Sequence, residues 1–323
     1  MKVVLVGSSH WHAPLVLAGL HQAGIEVAAV WDEDAARARA DASALGCPAF
    51  ADLEMLLERV RPDLAFALGR HCAMPSIART LIAHGVPFSL EKPGGLTADA
   101  VAALAREAGA AGVFSTVPFV NRLAPWLKKI EALQRAGRIG PVLQASFTDI
   151  AGPPERYRAA GCAWMLDPAQ AGGGVLVNLG IHFLDLARCL GGRSLAVAGA
   201  VLSHAAFAEA VEDHALVALE DGQGFSAHIE VGYGFPHAMA RHQAYRFAGR
   251  NWHLAIERGL WRLATPHGVE EEPVATDAAP LMATHVAATF EAVRGKTSPT
   301  ATLDDLAAAL RLVEAACRRP SRS

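Results

Sequence analysis

Over the first 120 residues, short uninterrupted apolar runs alternate with helix-length stretches. The runs at 3–6, 27–30, 64–68, 86–90 and 113–117 predict strands. The stretches at 14–23, 35–45, 53–60, 75–84 and 98–108 predict helices. Gly24, Gly46, Gly85 and Gly109 each follow a predicted helix, where a left-handed C-cap residue is expected. Strands apolar at every position need cover on both faces, so the pattern predicts a parallel sheet with helices on either side, a doubly wound nucleotide-binding fold.

Beyond residue 120 the rhythm changes. A helix at 125–136 and a strand at 142–149 precede a polar loop and the stretch GGGVLVNLGIHFLDLARCLGG, which predicts a helix over 177–190. From 195 to about 274 the segments LAVAGAVL, HALVALE, FSAHIEV, QAYRFAG, NWHLAIE and LWRLA read as strands separated by turns such as Asp221-Gly222. They predict an open, mainly antiparallel sheet. Helices at 281–294 and 303–318 follow, then a frayed tail, RRPSRS. The expected fold class is α/β, with a Rossmann domain over 1–120 and an α+β substrate-binding and oligomerisation domain over 121–323.

Composition narrows the class. The 323 residues are 52% hydrophobic with a net charge of −3, which argues against disorder and against a global nucleic-acid footprint. No apolar run is expected to reach the roughly 18 residues of a membrane span, and the N-terminus enters a strand directly. Five scattered cysteines without a C-x-x-C pair suit a reduced, cytoplasmic protein. His204, His214, His228, His237 and His242 lack ligand spacing, so no metal is expected. The acidic run 270–272 reads as a solvated turn.

Three segments suggest a dinucleotide. The turn Gly7-Ser8-Ser9-His10-Trp11-His12 follows the first strand and keeps only the first glycine of G-x-G-x-x-G. Its serine hydroxyls, backbone amides and histidines could still hold phosphate. It reads equally as an ordinary strand-to-helix turn. Asp32 lies 25 residues beyond Gly7, near the ~20 expected of the ribose-binding carboxylate. With Glu33 and Asp34, and no adjacent Arg or Lys, it would repel a 2′-phosphate and favour NAD over NADP. Asp34 also suits a helix N-cap. Glu91-Lys92-Pro93 stands at the end of the predicted strand 86–90, on the sheet edge where ligands bind. Only five lysines accompany 24 arginines, and lysine supplies a compact donor of adjustable pKa. Pro93 suits a cis peptide.

These segments, with Asn121-Arg122, ALQRAGRIGPVLQASF and the run 172–192, resemble the Gfo/Idh/MocA oxidoreductases over nearly the whole chain. The resemblance implies hydride transfer between NAD and a secondary alcohol or ketone of a sugar, cyclitol or related polyol, with substrate between the two domains. It implies a nucleotide site of Gly7 to His12, Asp32, the third loop Leu68-Gly69, Glu91 and Lys92. The family pattern Asp-x-Gly-x-His-x-x-Asp falls on Asn178, Gly180, His182 and Asp185, so the catalytic group becomes Lys92, Asn178 and His182. Asn178 departs from the family's aspartate and cannot balance an imidazolium.

His182 is expected as general base, one helical turn from Asn178, with Lys92 stabilising the reacting oxygen. The glycines ahead of the helix would let substrate or nicotinamide approach the backbone. Asp185 borders the same face. Arg122 either contacts substrate or braces the domain junction. Trp164 either lines the substrate pocket or belongs to the core. A homodimer or homotetramer through the second-domain sheet is implied, with neither nucleic acid nor membrane as partner. Two other functions fit the residues: an NAD-using enzyme without net redox, such as a glycosidase, and a catalytically impaired nucleotide-sensing regulator.

Overall fold

The structure is a computed structural model that describes residues 1–192 and 194–318. The expected frayed tail at 319–323 lies outside the described residues. The strands are β1 Val3–Val6, β2 Val27–Trp31, β3 Ala49–Phe50, β4 Leu64–Ala67, β5 Phe88–Leu90, β6 Ser115–Thr116, β7 Gln144–Ala151, β8 Ala196–Ser203, β9 His214–Glu220, β10 Ser226–Gly232, β11 Arg241–Gly249, β12 Trp252–Glu257, β13 Leu260–Thr265 and β14 Gly268–Pro273. The α-helices are α1 Ala13–Gln22, α2 Ala35–Leu45, α3 Leu53–Val60, α4 Met74–Ala83, α5 Ala98–Ala111, α6 Pro125–Arg135, α7 Glu155–Ala159, α8 Pro168–Ala171, α9 Ile181–Gly191, α10 Ala278–Val293 and α11 Leu303–Arg318.

Two compact units divide the chain. The first holds residues 1–120, 157–172 and 278–308; the second holds 121–156, 173–277 and the remainder from 309. In the first unit six parallel strands run in the order β3-β2-β1-β4-β5-β6. Every residue of β1, β4 and β5 is buried, as continuous apolar strands covered on both faces require. The strand order reverses between β1 and β4, which opens a ligand crevice at their carboxyl ends. Helix α10 packs on α1 at Gly19, where a Cβ would come within 2.9 Å of Val286.

Helix boundaries follow local chemistry. Asp34, Asp52 and Thr97 cap α2, α3 and α5 with side-chain hydrogen bonds. Gly24, Gly46 and Gly85 adopt the expected left-handed conformation. Gly109 does not: α5 continues to Ala111 and Gly112 takes the cap, because nothing in the apolar rhythm marks which of two nearby glycines ends the helix. The strand expected over 113–117 shortens to Ser115–Thr116.

The second unit is built on an eight-stranded sheet, β14-β13-β12-β11-β7-β10-β9-β8. Only the β7–β10 pair is parallel. Register places Val217, Ile229, Phe147, Tyr245, Ile256 and Trp261 in one row across the sheet, all buried. Phe147 stacks on Phe183 of α9, with ring centroids 5.3 Å apart, and Trp126 of α6 lies 5.3 Å from Tyr245. The neighbouring row, through Ala218, His228, Ser146 and Arg246, faces away from that core.

Three expectations need correction here. The acidic run 270–272 is not a turn but belongs to the edge strand β14. Its glutamates pair with Arg138, Arg262 and Lys129, a charged edge of the kind that blocks further strand pairing. The single helix expected over 177–190 is broken in character: residues Leu176–Gly180 form a π-helical turn before α9. Finally, the helical run Pro168–Gly191 is long and apolar enough, by length and composition, to cross a membrane. Within its apolar 18-residue stretch, 72% is buried in the protein, as in a core helix.

Candidate active site

In the first unit the loop after β1 meets the loop after β4 at the strand-order reversal. Gly7 has φ +81°, and a Cβ there would lie 2.5 Å from the Leu68 carbonyl oxygen. Only glycine allows both the conformation and the approach. Asp32, at the end of β2 and 3% exposed, accepts the Ser9 N–H at 2.7 Å and the Asp34 N–H at 2.9 Å. It thereby ties the first loop to the second strand. Each of its oxygens keeps a further lone pair for a ligand hydroxyl. Asp34 caps α2, so both readings of the acidic trio hold together.

A cleft of ≈ 280 Å³ opens beside these groups, lined by Gly7, Ser9, Asp32, Glu33, Gly69, Arg70 and Trp164 among others. Arg70 corrects one expectation. A cation does stand beside the acidic trio: its Nε donates to Glu33 Oε2 at 2.7 Å and its Nη1 to Gln170 Oε1 at 3.0 Å. The sequence hides this because Arg70 and Glu33 are 37 residues apart. Trp164 belongs to this same unit and lines the cleft. Its ring centroid lies 5.6 Å from His10 and 5.0 Å from His71.

Next to Trp164, through His10, lies a buried polar cluster. His12 Nδ1 is 3.2 Å from Glu91 Oε1, and the His12 N–H donates to His10 Nδ1 at 3.1 Å. Glu91 and Lys92 are 3% and 1% exposed, and the Lys92–Pro93 peptide is cis. Burial pushes the Glu91 carboxyl up, but His12, Lys92 and His10 outweigh it and hold the group well below the usual carboxylate range. Burial, with His12 close by, drives His10 well below the ordinary histidine value.

His71, which sequence reasoning passed over, donates from Nδ1 to the Ala171 carbonyl at 2.7 Å, and burial pushes its pKa down to about 3. It is therefore a neutral imidazole whose Nε2 is an acceptor. Its place one turn past β4, on the ligand edge, was the available signal. Beneath the cluster, His285 of α10 contacts the Ser89 hydroxyl at 3.0 Å, and burial holds it at about 4.

The residues present suit a dinucleotide. The loop is stripped of side chain at Gly7 and Gly69, and the Asp32 carboxylate stands at the end of β2. The buried Ser8 hydroxyl lacks a hydrogen-bond partner, as does the buried His10 Nε2. Gly7, Ser8, Ser9, Asp32, Gly69 and Trp164 would hold such a cofactor.

In the second unit, Asn178 sits in the π-helical turn, 1% exposed, and donates from Nδ2 to the Tyr233 hydroxyl at 3.2 Å. The Arg156 guanidinium lies 5.4 Å over the Tyr233 ring. On β7, Asp149 accepts from Arg241 at 3.1 Å and Gln243 at 3.3 Å, and burial raises its pKa despite Arg241. His182 is half-buried at the start of α9. Tyr233, Arg156 and Asp149 carry no spacing signal, because Tyr233 follows β10, Arg156 lies in α7 and Asp149 lies on β7, all distant in the chain from Asn178.

At Gly174 the glycine run serves backbone packing. A Cβ at Gly174 would stand 2.1 Å from the Glu212 carbonyl oxygen, and the Glu212 carboxylate accepts the Gly174 and Leu176 N–H groups at 2.8 and 3.0 Å. The backbone approach anticipated for a ligand is thus made at Gly174 by the chain itself. Asp185 is fully buried and held by Arg122 through Nε at 2.7 Å and Nη2 at 2.6 Å, with Arg188 at 3.6 Å. Both members of that pair lie in the second unit.

Residues 1–119 match the Gfo/Idh/MocA oxidoreductase family with its NAD-binding Rossmann fold, and residues 127–254 match the family's C-terminal domain. The chain is 27% identical over 328 residues to the rhizopine catabolism protein MocA of Rhizobium meliloti, spanning 99% of this chain and 95% of that one. It is 32% identical over 268 residues to the dTDP-3,4-didehydro-2,6-dideoxy-alpha-D-glucose 3-reductase of Streptomyces violaceoruber, spanning 76% and 72%. Among solved structures, an oxidoreductase from Agrobacterium radiobacter in complex with NAD+, L-tartaric acid and magnesium superposes with a TM-score of 0.82 at 19% identity, covering 98% of this chain and 96% of that one. The chain belongs to the Gfo/Idh/MocA family of NAD-binding oxidoreductases.

Proposed function

We propose that this enzyme oxidises a secondary alcohol of a sugar, cyclitol or related polyol, or reduces the matching ketone, with NAD as redox partner. The cofactor supplies hydride acceptance and donation when bound. His182 takes the hydroxyl proton during oxidation and returns it during reduction. Lys92 donates a hydrogen bond to the reacting oxygen and stabilises its developing charge. Glu91, held anionic chiefly by His12, stands directly before Lys92 in the buried cluster. Asn178 orients the substrate through its amide rather than balancing charge. Trp164 and His71 belong to the nucleotide side of this reading, and the Arg122–Asp185 pair fixes the helix that carries His182.

The observation that supports the reading most is the buried Lys92 just past the carboxyl end of β5, in the same parallel sheet whose carboxyl edge carries the glycine-lined cleft with Asp32. The names of the relatives, among them a reductase acting at position 3 of a dTDP-linked sugar, support the substrate class. A homodimer or homotetramer through the exposed sheet face belongs to the same reading. Val201 and Leu216, paired across β8 and β9, are 53% and 43% exposed there. So does a reducing cytoplasmic setting, which suits five scattered cysteines without a C-x-x-C pair.

The test is turnover of a polyol and keto-sugar panel with NAD+ or NADH. His182→Ala is expected to lower kcat at least ~100-fold, the size of a general-base contribution, while NADH affinity stays within about twofold. Unchanged turnover in that variant removes His182 from its role. One alternative has its own support: Asn178, in place of the family's aspartate, suits a nucleotide-sensing regulator. Tight NADH binding without turnover on the whole panel, with activity gained by Asn178→Asp, would establish that reading instead.

A further inference from the structure

The cleft beside Asp32 contains more than a carboxylate awaiting a ribose. Arg70 reaches over it from the loop after β4, and its guanidinium is shared between two partners. Nε and Nη2 both donate to Glu33 Oε2, while Nη1 donates to Gln170 Oε1. Glu33 and Arg70 each line the cleft and are each partly exposed, at 33% and 44% of their side chains. We infer that Glu33 is the residue by which this enzyme selects NAD against NADP, and that it does so chiefly by holding Arg70 away from a 2′-phosphate. The inference rests on the nucleotide reading above and adds the residue pair that sets its specificity.

The physical argument has two parts. A phosphate at the ribose 2′ position brings close to two negative charges at neutral pH and three strong acceptor oxygens, as any phosphomonoester does. Here it would face Asp32, Glu33 and Asp34, with Arg70 as the guanidinium that lines the cleft; Arg37, which also interacts with Asp32, donates to Asp41. Simple repulsion would make such a site reject it. An arginine fork, however, is the side chain best matched to phosphate, because its planar donors can bind two oxygens at once. Glu33 uses the Nε edge of that fork. The group suited to welcoming NADP is therefore present at the rim and engaged by a neighbouring carboxylate.

Glu33 differs from Asp32 in this respect. Asp32 is buried and ties two backbone N–H groups, so it holds the loop together. Glu33 accepts only from Arg70 among the described side-chain bonds and caps nothing. Replacing it removes a charge and frees the fork without removing a support of the fold.

The experiment is a nicotinamide-fluorescence titration with NADH and NADPH on the full-length wild type, Glu33→Gln, Arg70→Ala and the double variant, with melting temperatures recorded in parallel. The wild type is expected to prefer NADH at least ~10-fold. Glu33→Gln should tighten NADPH about tenfold, the size of one charge-assisted contact, with NADH affinity changed less than about threefold. The double variant should lose most of that gain. No NADPH gain in Glu33→Gln, at an unaltered melting temperature, overturns the inference. So does an equal gain in the double variant, because repulsion alone would then account for it. A wild type that binds neither nucleotide would instead overturn the cofactor reading itself.

Discussion

Arg122→Met tests whether the buried ion pair on α9 is a structural fixture. Asp185 is fully buried and receives two short bonds from one guanidinium, whose own side chain is 18% exposed. Methionine keeps the aliphatic stem and removes the charge. Deleting one partner of such a pair leaves the other charge desolvated, at a cost of about 3–5 kcal/mol. Arg188 stays 3.6 Å from the same carboxylate and retains part of the attraction, so the expected loss is about 2–4 kcal/mol. At about 2–4 °C per kcal/mol for domains of this size, the melting temperature should fall by about 5–15 °C. Denaturant titration should show the midpoint moving while the slope holds. The variant Arg122→Met with Asp185→Leu removes the stranded carboxylate but takes a partner from Arg188, whose side chain is 11% exposed, so it should recover part of the loss rather than all of it. An Arg122→Met protein that melts within ~2 °C of wild type, on the same size scale, would refute the assignment.

Other outcomes follow from the same physical terms. His71 and His285 are buried neutral, with pKa values near 3 and 4. Below pH 6.5 the unfolded chain takes up protons that the folded chain refuses, so stability falls as pH falls. From pH 6.5 to 5 each should cost about 2 kcal/mol, and His71→Asn with His285→Asn should flatten the acid side of a melting-temperature profile. Glycine substitutions should separate by surroundings. Gly174→Ala drives a Cβ into the Glu212 backbone and should sharply reduce soluble, folded yield. Gly109→Ala, in α5 with nothing near its Cβ, should stabilise by about 0.5–1 kcal/mol in thermal melts.

Much of the first unit was legible because its signals are local. Apolar runs gave β1, β2, β4 and β5, and the acidic end of β2 and the Glu91-Lys92-Pro93 segment stand where a parallel sheet presents its ligand edge. β14 was not legible, since three consecutive glutamates resemble a turn until register sets them opposite Leu263, Arg262 and Trp261. Nor was the purpose of the glycines, because Glu212 lies 38 residues beyond Gly174.

The order of residues alone thus determined where most strands and helices form and which polar groups stand at the ends of β2 and β5, for these depend on near neighbours and periodicity. Only the folded chain decided which carboxylate meets which cation. Glu33 with Arg70, Asp185 with Arg122 and Asn178 with Tyr233 are 37, 63 and 55 residues apart. Such pairings arise from how loops and helices pack on the finished sheets, and no local pattern encodes them.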